Sequence, residues 1–172
     1  MNRFRPRHPS RDMTLTLALL ALAPPLTETQ ALDLALLDEY RATSTYEAVL
    51  DRWGANTMPF RNIVRAERQH AQMVIQRMEQ IGHKPTANPF ALQEKEAKTD
   101  WYRRLEMPAT LNEMYKDAYQ AEVDNIKLYD GFLTQGYPEA TNRLFSKLRA
   151  DSKDRHLPAF ARKAGLPVNP GF

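Results

Sequence analysis

Apolar residues recur at steps of three and four along four stretches of this chain, the spacing that gathers them on one face of an α-helix. In the first stretch Leu32, Leu36, Glu39, Thr43, Tyr46 and Leu50 follow at steps of 4, 3, 4, 3 and 4, the inward stripe of a helix in a bundle. Thr27-x-x-Gln30, after a proline pair, reads as a capping box that starts this helix, and Trp53-Gly54 marks its end. The second stretch opens near Pro59, carries Phe60, Ile63, Glu67, His70, Val74, Met78 (or Arg77) and Ile81, and stops at Gly82. The third follows Pro108 with another capping box, Thr110-x-x-Glu113, and runs through Leu111, Tyr115, Ala118, Glu122, Asn125, Tyr129 and Phe132 towards Gly136. The fourth spans Pro138 to Gly165 with Phe145, Leu148, Ser152, His156 and Ala159 on its seam. Pro158 should kink it, because proline has no N–H to donate to the carbonyl of Asp154. No strand pattern or internal repeat stands out.

These elements predict an all-α four-helix bundle over residues 26–165, followed by an irregular tail at 166–172. Residues 83–107, with Pro85, Pro89, Trp101 and Tyr102, form a long connection in which a short helix is expected around Leu92 to Lys98. A connection of that length suits a crossover that returns the chain to the far end of the bundle.

Every seam carries an ionisable or polar residue near its middle, where a bundle should be apolar. A buried unpaired carboxylate costs several kcal/mol, on the order of the net stability of a small domain. Such residues need partners, and their spacing makes them partners of one another through a cation. Glu67-x-x-His70 sets a carboxylate and an imidazole one turn apart on one face. Glu39 and Glu67 lie 28 residues apart around a turn near their midpoint, so antiparallel packing brings them to the same depth. Glu122 and His156, 34 residues apart, roughly match as well. The candidate metal ligands are therefore Glu39, Glu67, His70, Glu122 and His156.

Di-iron and di-manganese carboxylate bundles use two lone glutamates and two Glu-x-x-His motifs. Here the second motif lacks its glutamate: Lys153 stands three residues before His156, and Asn125, a weak ligand at best, stands three after Glu122. Asp154, two before His156, points away on a regular helix unless the Pro158 kink turns it. The set supports a dinuclear site of three carboxylates and two imidazoles plus water, with a mononuclear site as the alternative. Bland readings stand beside it: Glu39 paired with Arg65, His156 as a hydrogen-bonded core histidine, Tyr46 and Tyr129 as core aromatics rather than redox tyrosines. Met73 and Met78 near His70 read as core filler more readily than as copper ligands.

Composition narrows the chemistry. The 172 residues hold no cysteine, which removes disulfides, iron–sulfur clusters and thiolate zinc sites and leaves carboxylate and imidazole, ligands suited to iron, manganese or zinc. The net charge of +3 resides in the first 23 residues, where Arg3, Arg5, Arg7 and Arg11 face Asp12, and the remaining 20 basic and 20 acidic residues balance. A nucleic-acid binder would keep a basic surplus on its folded domain. Residues 1–25 follow the pattern of a signal peptide: an arginine-rich stretch, then an apolar run from Met13 to Ala23. Export to the periplasm is the expectation, with a disordered arm on a cytoplasmic protein as the alternative. The run is too short for a stable membrane span.

The segments Leu37-Asp-Glu-Tyr-Arg-Ala, Arg65-Ala-Glu-Arg-Gln-His, Gln120-Ala-Glu-Val-Asp-Asn-Ile and Asp154-Arg-His-Leu-Pro-Ala-Phe resemble a rubrerythrin-related family of the ferritin-like superfamily, catalogued as a domain of unknown function. The resemblance covers residues 26–164. It implies a ferritin-like four-helix bundle with a long crossover between its second and third helices, and a carboxylate-bridged di-metal centre, di-iron above all, at the five residues named. It further implies an oxidoreductase, ferroxidase- or peroxidase-like, in which dimers are common. Asn125 and Lys153 depart from the rubrerythrin pattern, so peroxidase activity does not simply carry over. Rubrerythrins also carry a cysteine-bound iron domain, and without cysteine this chain would need an external electron donor. A metal-handling protein without turnover and a metal-free structural bundle are the alternatives.

Overall fold

A computed structural model describes residues 25–94 and 97–171. The expected targeting segment and the compartment it implies lie, Pro25 apart, outside the described residues. What is described is all-helical apart from one short strand pair. α1 (Glu28–Trp53) and α2 (Phe60–Gln80) form a hairpin, α3 (Asp100–Arg104) is one short turn in the connection, and α4 (Leu111–Leu133) packs on α5 (Glu139–Asp151) and α6 (Leu157–Ala164). Between α5 and α6 the backbone widens into a π-helical turn, Ser152–His156.

Local chemistry sets most of these bounds. Thr27 and Thr110 each accept from the N–H three residues on, while Gln30 and Glu113 reach back, so both expected capping boxes form. Gly165 ends α6 at φ 68°, a left-handed conformation that glycine adopts without a Cβ clash.

The expected short helix at 92–98 does not form. Gln93–Glu94 (β1) and Ala97–Lys98 (β2) pair antiparallel, Gln93 opposite Lys98, and the helical turn comes later, where Thr99 caps α3 by accepting from Tyr102 N–H at 3.2 Å. A helix of seven residues is too short to repay its nucleation by itself, whereas Thr99 followed by Asp100 supplies a start signal. The expected kink at Pro158 takes the form of the π turn before it. Leu157 N–H reaches back to Ser152 O, and the wider turn accommodates a proline ring that would crowd the Asp154 carbonyl of a regular helix.

Two apolar clusters fill the interior. Leu32, Leu36, Val74, Met78, Phe132, Phe145 and Leu148 form one, at the Gly82 and Gly136 end. Val49, Phe60, Val64, Ile126, Leu157 and Phe160 form the other. The third seam turns slightly from expectation, burying Met114 while Tyr115 stays half-buried and donates to Met58 O at 2.9 Å. On α1, α2 and the last helical stretch, Glu39, Glu67, His70 and His156 fall between the clusters, so packed hydrocarbon closes the polar layer from both ends.

Candidate metal centre

α1 brings Glu39 inward, α2 brings Glu67 and His70, α4 brings Glu122, and the π turn ends on His156; all five are 1–3% exposed. They form two groups of three, Glu39–Glu67–His70 and Glu67–Glu122–His156, with ligand atoms in each group within 4.8 Å of one another. Glu67 belongs to both. Its Oε2 lies 2.9 Å from His70 Nδ1 and its Oε1 lies 2.9 Å from His156 Nδ1. The outer carboxylates complete the groups, Glu39 Oε2 at 3.4 Å from His70 Nδ1 and Glu122 Oε2 at 3.5 Å from His156 Nδ1. The two imidazoles stack, centroids 5.5 Å apart.

The tyrosines cross the bundle. Tyr46 of α1 donates to Glu122 Oε1 of α4 at 2.9 Å, and Tyr129 of α4 donates to Glu39 Oε1 of α1 at 2.5 Å. Each holds one carboxylate oxygen outward and leaves the other facing the histidine. They are core aromatics with satisfied hydroxyls, as their position two turns from each glutamate suggested. Glu39 does not pair with Arg65, which is exposed, and Met73 and Met78 belong to the apolar cluster.

Electrostatics without a cation fall on the protons. Burial would push His70 down, but the close approach and charge of Glu39 and Glu67 outweigh it and raise it to about 11. Burial opposed by Glu122 and Glu67 likewise leaves His156 raised to about 10. Burial, with the charge of Glu67, raises Glu39 to about 8; burial also raises Glu122. Glu67 is pulled far below the usual carboxylate range, its burial cost outweighed by His156 and His70.

Two inward atoms of the site have no hydrogen-bond partner. Glu39 Oε2 and His156 Nδ1 are sealed from solvent and make no hydrogen bond; the short approach of His156 to Glu67 lacks the alignment one needs. Buried polar atoms are paired in more than about 90% of cases, and these two face the middle of the two groups. A carboxylate and imidazole donor set with unpartnered inward atoms fits divalent iron, manganese or zinc.

Three further polar residues of these helices were open or unforeseen in the sequence. Asn125 joins neither group: its amide donates to Asp38 Oδ2 at 2.7 Å and its carbonyl accepts from Ser152 at 2.8 Å, tying α1 to the π turn. Asp154 is exposed, so the bend does not rotate it inward. Asp151, which the sequence did not single out, lies 3.1 Å from His70 Nε2 and is itself held by Lys147 at 2.5 Å. It stands five residues before His156, a separation that shares no face of a regular helix, and only the π turn makes it useful. Pro158 was the available signal.

No family model matches this chain, and no curated protein matches it. Among solved structures it is similar to the crystal structure of hypothetical protein MJ0754 from Methanococcus jannaschii DSM 2661, with a TM-score of 0.68 and 17% identity over 83% of each chain. At that identity the likeness speaks for a shared all-helical fold and for nothing about function.

Proposed function

We propose that this chain is a ferritin-like four-helix bundle, with 83–107 as the crossover, that holds two divalent metal ions, iron foremost, at Glu39, Glu67, His70, Glu122 and His156. One observation carries the reading. Glu67 turns one oxygen to each histidine, and the inward atoms Glu39 Oε2 and His156 Nδ1 have no partner in a sealed interior. A shared carboxylate between two three-ligand groups is what a bridged pair of cations requires. Bound iron would supply one-electron chemistry towards dioxygen, peroxide or further ferrous ions. The chain's own part is to orient and exclude: Tyr46 and Tyr129 fix the outer glutamates, Asp151 fixes the His70 ring, and the apolar clusters keep bulk water out. With no cysteine in the chain, sustained turnover takes its electrons from outside. Export rests on the pattern of residues 1–25 alone.

A metal-free ionic core has one observation in its favour, the raised histidines, which would sit as imidazolium ions among the carboxylates. Metal analysis of full-length protein purified without chelator, followed by optical spectra on adding ferrous iron and then air, separates the readings. Bound metal with repeated oxidation of ferrous iron or consumption of peroxide supports an oxidoreductase. Bound metal with a single turnover supports metal handling, and no recruitable metal leaves the ionic core.

A further inference from the structure

Beside the centre, a groove of about 420 Å³ opens between α1, α2 and the 83–107 connection, lined among others by Thr43, Glu47, Asp51, Arg68, Asn88 and Lys98. Glu39, Thr43, Glu47 and Asp51 stand at steps of four on α1, which places successive side chains on one stripe about 6 Å apart. Their side chains run from surface to interior: Asp51 is 52% exposed, Glu47 26%, and Glu39 1%. Thr43, one rung from Glu39, is 7% exposed and lines the groove, and its hydroxyl has no hydrogen-bond partner. A buried hydroxyl without a partner costs stability that valine at the same volume would not.

We propose that this stripe of oxygen donors is the path by which hydrated divalent metal ions reach the buried centre, passing from Asp51 to Glu47 to Thr43 before Glu39. The inference rests on the metal-centre reading above. A divalent ion gives up its water only against replacement oxygens, and the apolar clusters offer none, whereas the stripe offers one at every turn of α1. Glu47 is paired with Arg68 at 2.6 Å and Asp51 with Lys98 at 2.9 Å. Surface pairs of this kind are weak, so an arriving divalent ion competes with them, and the two cations set the rate at which the path opens.

The test is stopped-flow uptake of cobalt(II) by chelator-treated full-length protein, read by visible absorption together with the final number of ions bound. Glu47→Gln and Asp51→Asn should slow uptake by roughly tenfold, and Arg68→Gln should speed it. Thr43→Val should slow uptake while keeping or raising the melting temperature, and Thr43→Ser should restore the wild-type rate. All of them should reach the wild-type end point. Should Thr43→Val fail to fold, the opposed effects of Glu47→Gln and Arg68→Gln still decide. Wild-type rates in every variant, at a wild-type end point, overturn the path and leave the centre standing. No cobalt uptake by the wild type overturns the centre and the path together.

Discussion

In the half of the centre built by α1 and α2, Glu39 faces His70 Nδ1 at 3.4 Å; in the half built by α4 and the π turn, Glu122 faces His156 Nδ1 at 3.5 Å. Each glutamate is tied by a tyrosine from the opposite hairpin, and each histidine meets one oxygen of Glu67. The ligands are near-equivalent and their supports are not. Asp151 holds His70 at Nε2, the side away from Glu67, whereas the described contacts of His156, with Glu67 and Glu122, are both at its inward Nδ1. An imidazole held from behind binds a cation with its orientation already fixed, and one without that support gains less from the same donors. Two half-sites with the same donors should therefore differ in affinity, the Glu39–His70 half being the tighter.

Glu67→Ala is the strongest way to break the comparison, since it removes the element both halves share. Both ions should be lost on metal analysis, and the metal-free protein should lose about 3–5 kcal/mol in denaturant unfolding, because two buried histidines lose a carboxylate partner. Acidity sharpens it next. His70 and His156 are protonated without metal well past neutrality, so binding two ions displaces two ring protons, and the product of the two affinities should rise about a hundredfold per pH unit above about pH 8 and more steeply below it, where Glu39 gives up a proton as well. His156→Ala should cut that slope to tenfold and leave one ion bound; calorimetry in buffers of different ionisation heat counts the protons.

The metal-free protein should show the opposite sign. Its raised histidines stabilise it fully below about pH 6.5, a contribution lost as pH climbs through about 10 and 11. The raised Glu39 adds to the loss as its burial penalty appears on ionisation towards pH 8. Depressed Glu67 stabilises above its unfolded value near 4.5 and loses that contribution as pH falls below it. Melting temperature without metal should thus peak near pH 4.5, decline gently to about pH 6.5 through Glu39 and more steeply above it, and fall on the acid side.

Asp151→Asn tests the inequality itself: the first ion should bind about 10–100-fold more weakly and the second little changed. Tyr46→Phe and Tyr129→Phe are the mildest, each costing about 1–2 kcal/mol of unfolding free energy, and near-equal costs would bear out the matched outer supports.

Much of this was legible in the chain. The capping boxes at Thr27 and Thr110 marked where two helices start, because they act through contacts within one turn. The five inward polar residues showed because a charged residue interrupts an apolar seam, a local and periodic signal. Asp151 was hidden because its use depends on a five-residue π turn, and periodicity arguments assume a constant 3.6 residues per turn. The partner of Asn125 was hidden for a related reason: a seam position fixes the face of a helix but not whether a polar side chain bends towards the centre or to a neighbour such as Asp38. The connection defeated propensity because Leu92 to Lys98 has helix-forming residues but no apolar repeat at helical spacing.

Shared possession of Glu67 by two ions is the central claim, and counting ions tests it most directly. Chelator-treated full-length protein titrated anaerobically with ferrous iron and weighed under native conditions should carry two ions per chain, and Glu67→Ala should carry none. A wild type that stops at one ion, or a Glu67→Ala variant that binds like the wild type, would contradict it.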